Sequence, residues 1–93
     1  MRLTEKQVYI IKKAVKQQNI NAKLYLFGSR ADDTQHGGDI DLLIHSKIIA
    51  KTELRKIKWH LLALLGEQKI DLLVSKELQE PFVQLILPTS IEL

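Results

Sequence analysis

Apolar residues recur at helical spacing at Val8, Ile11, Ala14 and Val15, directly behind Thr4-Glu5-Lys6-Gln7. That tetrapeptide has the form of a capping box, with Thr at the N-cap and Gln three residues on, so a first helix is predicted to end near Gln18-Asn19. After a turn at Asn19 to Asn21 the pattern becomes strand-like from Lys23 to Phe27, and Gly28 stops it. Arg30 to Gln35 is polar and predicts one or two helical turns capped by Ser29, before Gly37-Gly38 supplies flexible backbone. A second strand follows over Asp39 to His45. From roughly Ile48 to Gln68 the period is helical again, with Leu54, Ile57, Leu61 and Leu64/Leu65 on one stripe and Lys51, Glu53 and Lys56 on the other. Lys69 to Ser75 is a third strand, and Glu80-Pro81 opens a short apolar helix over Phe82 to Leu87 that Pro88 closes. Thr89 to Leu93 reads as either a last short strand or a tail.

One internal similarity fixes the topology. Residues 40 to 44 read I-D-L-L-I and residues 70 to 74 read I-D-L-L-V, with the long helix between them. A strand, helix, strand connection of this length makes a right-handed parallel crossover, which sets Asp41 and Asp71 at the same end of the sheet. With the first strand antiparallel to the second, the Gly28-Ser29 turn reaches that end too. The expected fold is therefore α/β (α+β): a small mixed three-stranded sheet, with a fourth short strand if the C-terminus pairs, packed by about four helices.

Length and composition narrow the rest. Ninety-three residues are expected to form a single domain over 1–93, with one core and no room for a separate substrate domain. The N-terminus carries lysines through its apolar residues, unlike a signal peptide, and no apolar run approaches the roughly 20 residues of a membrane span, so a cytoplasmic protein is expected, without a membrane partner. The absence of cysteine excludes disulfides and thiolate zinc sites. A net charge of +3 raises a polyanionic partner, but the lysines and arginines are spread along two helices with glutamates among them, and few aromatics are present to stack on bases. A solvated surface is the stronger reading, and nucleic acid is not expected.

The candidate chemistry lies between Tyr25 and Ile44, YLFGSRADDTQHGGDIDLLI. If Asp39 and Asp41 open a strand, their side chains share a face, about 6 to 7 Å apart along the backbone. Two carboxylates so placed repel each other and lose hydration, which is reasonable when a cation sits between them. Gly28-Ser29, nine intervening residues, Asp39-Ile40-Asp41, and a later Ile70-Asp71-Leu72 together resemble the pattern of the DNA polymerase beta-like nucleotidyltransferase superfamily. The short length and the GSR and DIDLLI spellings are most similar to its minimal nucleotidyltransferase branch, often encoded beside a helical HEPN-domain protein. The likeness runs from about Thr4 to Pro88.

The resemblance implies Asp39, Asp41 and Asp71 as catalytic, metal-binding carboxylates holding two Mg²⁺ ions, with Asp71 completing the second metal site and taking the acceptor's proton. It implies Gly28, Ser29 and Arg30 as nucleotide-binding residues: backbone amides and the Ser29 hydroxyl donate to phosphate oxygens, and Arg30 neutralises the β or γ phosphate. The plainer readings are an N-cap for Ser29, a surface salt bridge from Arg30 to Asp32 or Asp33, and strand-end carboxylates for the aspartates. A nucleophilic serine is not expected, because no G-x-S-x-G surrounds it. His36 reads as a loop histidine, His45 and His60 as structural or solvent-facing. Trp59 falls off the apolar stripe, so it marks an exposed interface or packs on the C-terminal helix.

By that likeness, the expected activity is transfer of AMP from ATP to a hydroxyl of a protein partner, as antitoxin of a HEPN-type helical toxin. The acceptor side is left open, which calls for a partner protein or a second copy. The rivals are a non-catalytic binding module and a small-molecule adenylyltransferase.

Overall fold

The computed structural model describes residues 2–34, 38–66 and 68–93. Helix α1 spans Glu5–Gln18, strand β1 Lys23–Phe27, β2 Ile40–His45, helix α2 Lys51–Leu65, β3 Ile70–Ser75, α3 Pro81–Ile86 and β4 Ile91–Glu92. Two 3₁₀ turns, Gly28–Ala31 and Leu87–Thr89, complete the chain. The sheet order is β3-β2-β1-β4, with β2 and β3 parallel and the other pairs antiparallel. This is the mixed α/β fold expected from the repeat and the crossover.

Period-two alternation splits the sheet into two unlike faces. Leu24 and Leu26 of β1, Ile40, Leu42 and Ile44 of β2 and Ile70 of β3 join Ile11, Ala14 and Val15 of α1 and Ile57 and Leu61 of α2 in one buried cluster. Each large aliphatic side chain taken out of water there contributes about 1.5 to 3 kcal/mol. Asp41, Leu43 and His45 necessarily point to the other face. Helix α3 helps to cover that side: Leu43 and Val83 are buried outside the main cluster, and Phe82 meets Phe27 edge to face at 6.5 Å.

Several boundaries differ from the expected ones. The capping box at Thr4 forms as read: Gln7 N–H donates to Thr4 Oγ1 (3.1 Å), and Thr4 N–H donates to Gln7 Oε1 (2.9 Å). Helix α2, however, begins at Lys51 and not near Ile48. The buried Ser46 hydroxyl accepts the amides of Ile48 and Ile49 (3.2 and 3.1 Å), and Glu53 accepts that of Ala50 (2.8 Å), so these residues form the entry turn. The helix stops at Leu65, because Gly66 has φ +80°. Of the expected Leu64/Leu65 pair, Leu65 packs on the core while Leu64 is exposed.

A capped helix over Arg30 to Gln35 is not found in the described part of that segment: the 3₁₀ turn takes Gly28–Ala31 and no side chain caps it. Pro88 lies inside the second 3₁₀ turn instead of closing α3. The C-terminus is a strand, with Ile91 and Glu92 paired to Leu26 and Tyr25 and Leu93 N–H donating to Leu24 O (2.9 Å). The helical layer is thus three α-helices and two 3₁₀ turns among the described residues. Trp59 is 72% exposed, so it is not buried against the C-terminal helix. His36 and Gly37 lie outside the described residues. Among the described residues no helix is long and apolar enough to cross a membrane.

Candidate active site

The register of three strands brings the site together. Phe27, last residue of β1, pairs with Asp41, and Asp41 pairs with Asp71 in the parallel ladder. Partners in such a ladder share a face at about 4.8 Å strand spacing, so the two carboxylates are apposed on the side away from the main core. Gly28 comes immediately after Phe27 and so lies over Asp41. Its φ is +73°, and a Cβ built there would run into the Asp41 carboxylate. Both the backbone conformation and the lack of room therefore require glycine.

Burial, the adjacent Asp71 charge, a hydrogen bond shared with Asp71 and the charge of Asp39, in that order, push the Asp41 carboxyl above its ordinary value, and Lys69 partly offsets them. When protonated, Asp41 can donate to Asp71. Asp39 lies one residue ahead of β2 and is ion-paired with Lys69, one residue ahead of β3, at 3.5 Å. Both side chains are well exposed, so the pair is weak. Among the described residues no set of three acidic or histidine side chains is close enough to hold a metal ion. The arrangement is a carboxylate pair, Asp41 and Asp71, with Asp39 held beside it by Lys69.

This donor set fits a divalent cation. Carboxylate oxygens are the ligands that hard ions such as Mg²⁺ take, and a cation would relieve the like-charge repulsion that perturbs Asp41.

The Gly28–Ala31 turn is held from an unexpected direction. Arg2 N–H donates to Arg30 O (2.8 Å), and the Arg2 guanidinium donates to Ser29 O (2.7 Å) and Asp32 O (3.2 Å). Arg30 answers through Nη1 to Arg2 O and Nε to Gly38 O, both 3.1 Å. Gly38, at φ +93°, is packed so tightly on Ser29 that a Cβ would strike its hydroxyl. Arg30 is thus engaged with backbone carbonyls across the loop, and Asp32 accepts from the Thr34 amide and hydroxyl (2.9 and 2.7 Å).

A groove of about 670 Å³ opens beside the carboxylates along β3. Asp41, Asp71, Phe27 and Phe82 line one part of it, and Lys51, Arg55 and Lys58 of α2 line another. These cations stand at i, i+4 and i+7, a spacing visible in the sequence, where α2's basic residues read only as a solvated stripe.

The sequence of this fold matches a known family model, that of the nucleotidyltransferase domain, over residues 8–88. The chain belongs to this family. No curated protein gives a significant match to it. The nucleotidyltransferase domain therefore has nucleotidyl transfer as its chemistry, and the match includes the turn at Gly28 together with Asp39, Asp41 and Asp71. Arg2 lies outside the matched stretch, and nothing in the sequence marks it as a loop anchor.

Proposed function

We propose that this nucleotidyltransferase domain transfers AMP from ATP to a hydroxyl on a protein partner, in the manner of the minimal nucleotidyltransferases that act as antitoxins of helical HEPN-type toxins in the cytoplasm. The observation that carries the reading is the apposition of Asp41 and Asp71 beneath the Gly28 turn. The openness of the groove beside them supports a macromolecular acceptor, because Phe82 and Leu73, which line it, are 53% and 37% exposed.

In the reaction the acceptor oxygen attacks the α-phosphorus, a new P–O bond forms, the bond to pyrophosphate breaks, and the acceptor proton passes to a base. In this reading Asp71 takes that proton. The amides around Gly28 and Ser29 orient the triphosphate, since the absence of a side chain at Gly28 lets a ligand approach the backbone above Asp41. Arg30 reaches a phosphate only by exchanging its contacts to Arg2 and Gly38. Asp41 and Asp71, with Asp39 once it leaves Lys69, would hold Mg²⁺. When bound, the metal supplies neutralisation of charge on the triphosphate and a lowered pKa for the acceptor hydroxyl.

A second reading, a binding module without turnover, is favoured by one observation: Asp39 is paired with Lys69 and not gathered with the other two aspartates. The two separate in one experiment. Purified domain and helical partner are incubated with ATP and Mg²⁺, and the partner is weighed by intact mass spectrometry. Increments of one AMP, absent with Asp41→Asn although the complex still forms, support transfer. An unchanged mass alongside full neutralisation of the partner supports the binding module.

A further inference from the structure

The outer edge of β3 is unpaired, and its parity can be fixed. Ile40 N–H donates to Lys69 O and Ser46 N–H donates to Ser75 O, both at 3.0 Å. In a parallel ladder alternate residues bond to the same neighbour, so Asp71 and Leu73 face β2 and the backbone groups of Leu72 and Val74 turn outward. β3 is the terminal strand of the sheet, and among the described residues nothing bonds to Leu72 or Val74 on that outer side. An edge of this kind is a template for another strand.

The groove along this edge has two chemically distinct walls. Toward α2 stand Lys51, Arg55 and Lys58, spanning about 10 Å of helix, and none of the three has an ion-pair partner among the described residues. Toward the open face stand Asp41 and Asp71 with Leu73 and Phe82. A strand added at β3 would send alternate side chains, about 6.8 Å apart, to each wall.

We propose that β3 accepts an extended acidic segment of a partner protein as a fifth strand, with carboxylates at alternate positions on the α2 cations and a hydroxyl-bearing residue between them facing Asp41 and Asp71. Charge complementarity selects an anionic occupant. The outward amides and carbonyls of Leu72 and Val74 select a polypeptide over a nucleic acid, which has no backbone groups to complete a β ladder. The proposal deepens the functional reading by naming the form in which the acceptor is presented, yet the binding step requires neither nucleotide nor turnover.

The test uses the full chain without nucleotide and a fluorescein-labelled heptapeptide, EVEYEVE, followed by fluorescence anisotropy. Saturable binding is expected, weakened about tenfold by Arg55→Glu, an exposed position whose variant should melt like the wild type. N-methylation of one alternate set of peptide amides should abolish binding, while methylation of the other set is tolerated. In hydrogen exchange the amides of Leu72 and Val74 should gain protection on binding, whereas that of Leu73, already paired, should not. Absence of binding overturns the proposal. So does equal affinity for oligothymidylate with indifference to both methylations, which would make the groove a general polyanion surface. The assay contains no nucleotide and reads binding alone, so failure here is distinguishable from failure of the transfer reading, which the mass of the partner reports separately.

Discussion

At the scale of single residues, the site is a place where folding and function oppose each other. Asp41 is held above its ordinary value of 3.8 chiefly by burial and by Asp71. A carboxyl raised in the folded state binds more protons there than in the unfolded chain, so its contribution is favourable below 3.8 and is lost as pH rises through the raised value. Asp41→Asn removes that loss. In metal-free buffer its Tm should exceed the wild type's by about 2 to 5 °C near pH 7 and match it near pH 3. Equal melting at both pH values would show that burial and the neighbouring carboxylates do not raise the Asp41 carboxyl. Gly28→Ala should act in the opposite sense, because it forces a Cβ at φ +73° against Asp41. About 1 to 3 kcal/mol of destabilisation is expected in urea unfolding, and a neutral result would mean that the turn relaxes freely.

The pairing of Asp41 with Asp71 was legible in the sequence because strand register is a two-residue code and I-D-L-L is repeated, whereas Asp39, expected to join them, lies one residue ahead of β2 and is paired with Lys69. Arg2 was not. Its contacts are to carbonyls of a turn about thirty positions away, and a carbonyl has no sequence signature. Arg30 was legible as a loop residue, but its partners, Arg2 O and Gly38 O, depend on how that loop closes.

At the scale of elements, interiors followed the hydrophobic period while ends followed local hydrogen bonds. The β2 to α2 connection shows why. Ser46 is buried, accepts the Ile48 and Ile49 amides and is reached by Asn19 Nδ2 at 2.8 Å, so one hydroxyl sets the start of α2 and ties it to the end of α1. A helical period continues through Ile48 regardless, which is why pattern alone begins the helix early. Ser46→Ala should leave these donors without their acceptor and cost about 1 to 3 kcal/mol, measured by chemical denaturation. A loss below about 0.5 kcal/mol would indicate that water replaces the hydroxyl. The capping box needs only residues three apart, and accordingly Thr4 and Gln7 were read correctly.

At the scale of the whole molecule, the mixed sheet keeps one face for the core and leaves the other for chemistry. The first face is filled by α1 and α2, and the second is covered in part by α3, so the carboxylate pair lies beside an open groove. The parallel crossover foretold this arrangement. The groove itself was not foreseen, because it depends on α2 turning Lys51, Arg55 and Lys58 toward the free edge of β3, a rotation that amphipathic pattern does not specify for residues on the border of the polar face.

The central claim is that Asp41 and Asp71 act together on a divalent ion beneath the Gly28 turn. Titration of Mn²⁺ into the domain with a non-hydrolysable ATP analogue, by isothermal calorimetry, tests it most directly. Binding should be weakened about tenfold or more by either Asp41→Asn or Asp71→Asn, with both variants folded. Wild-type affinity in either variant would contradict the account.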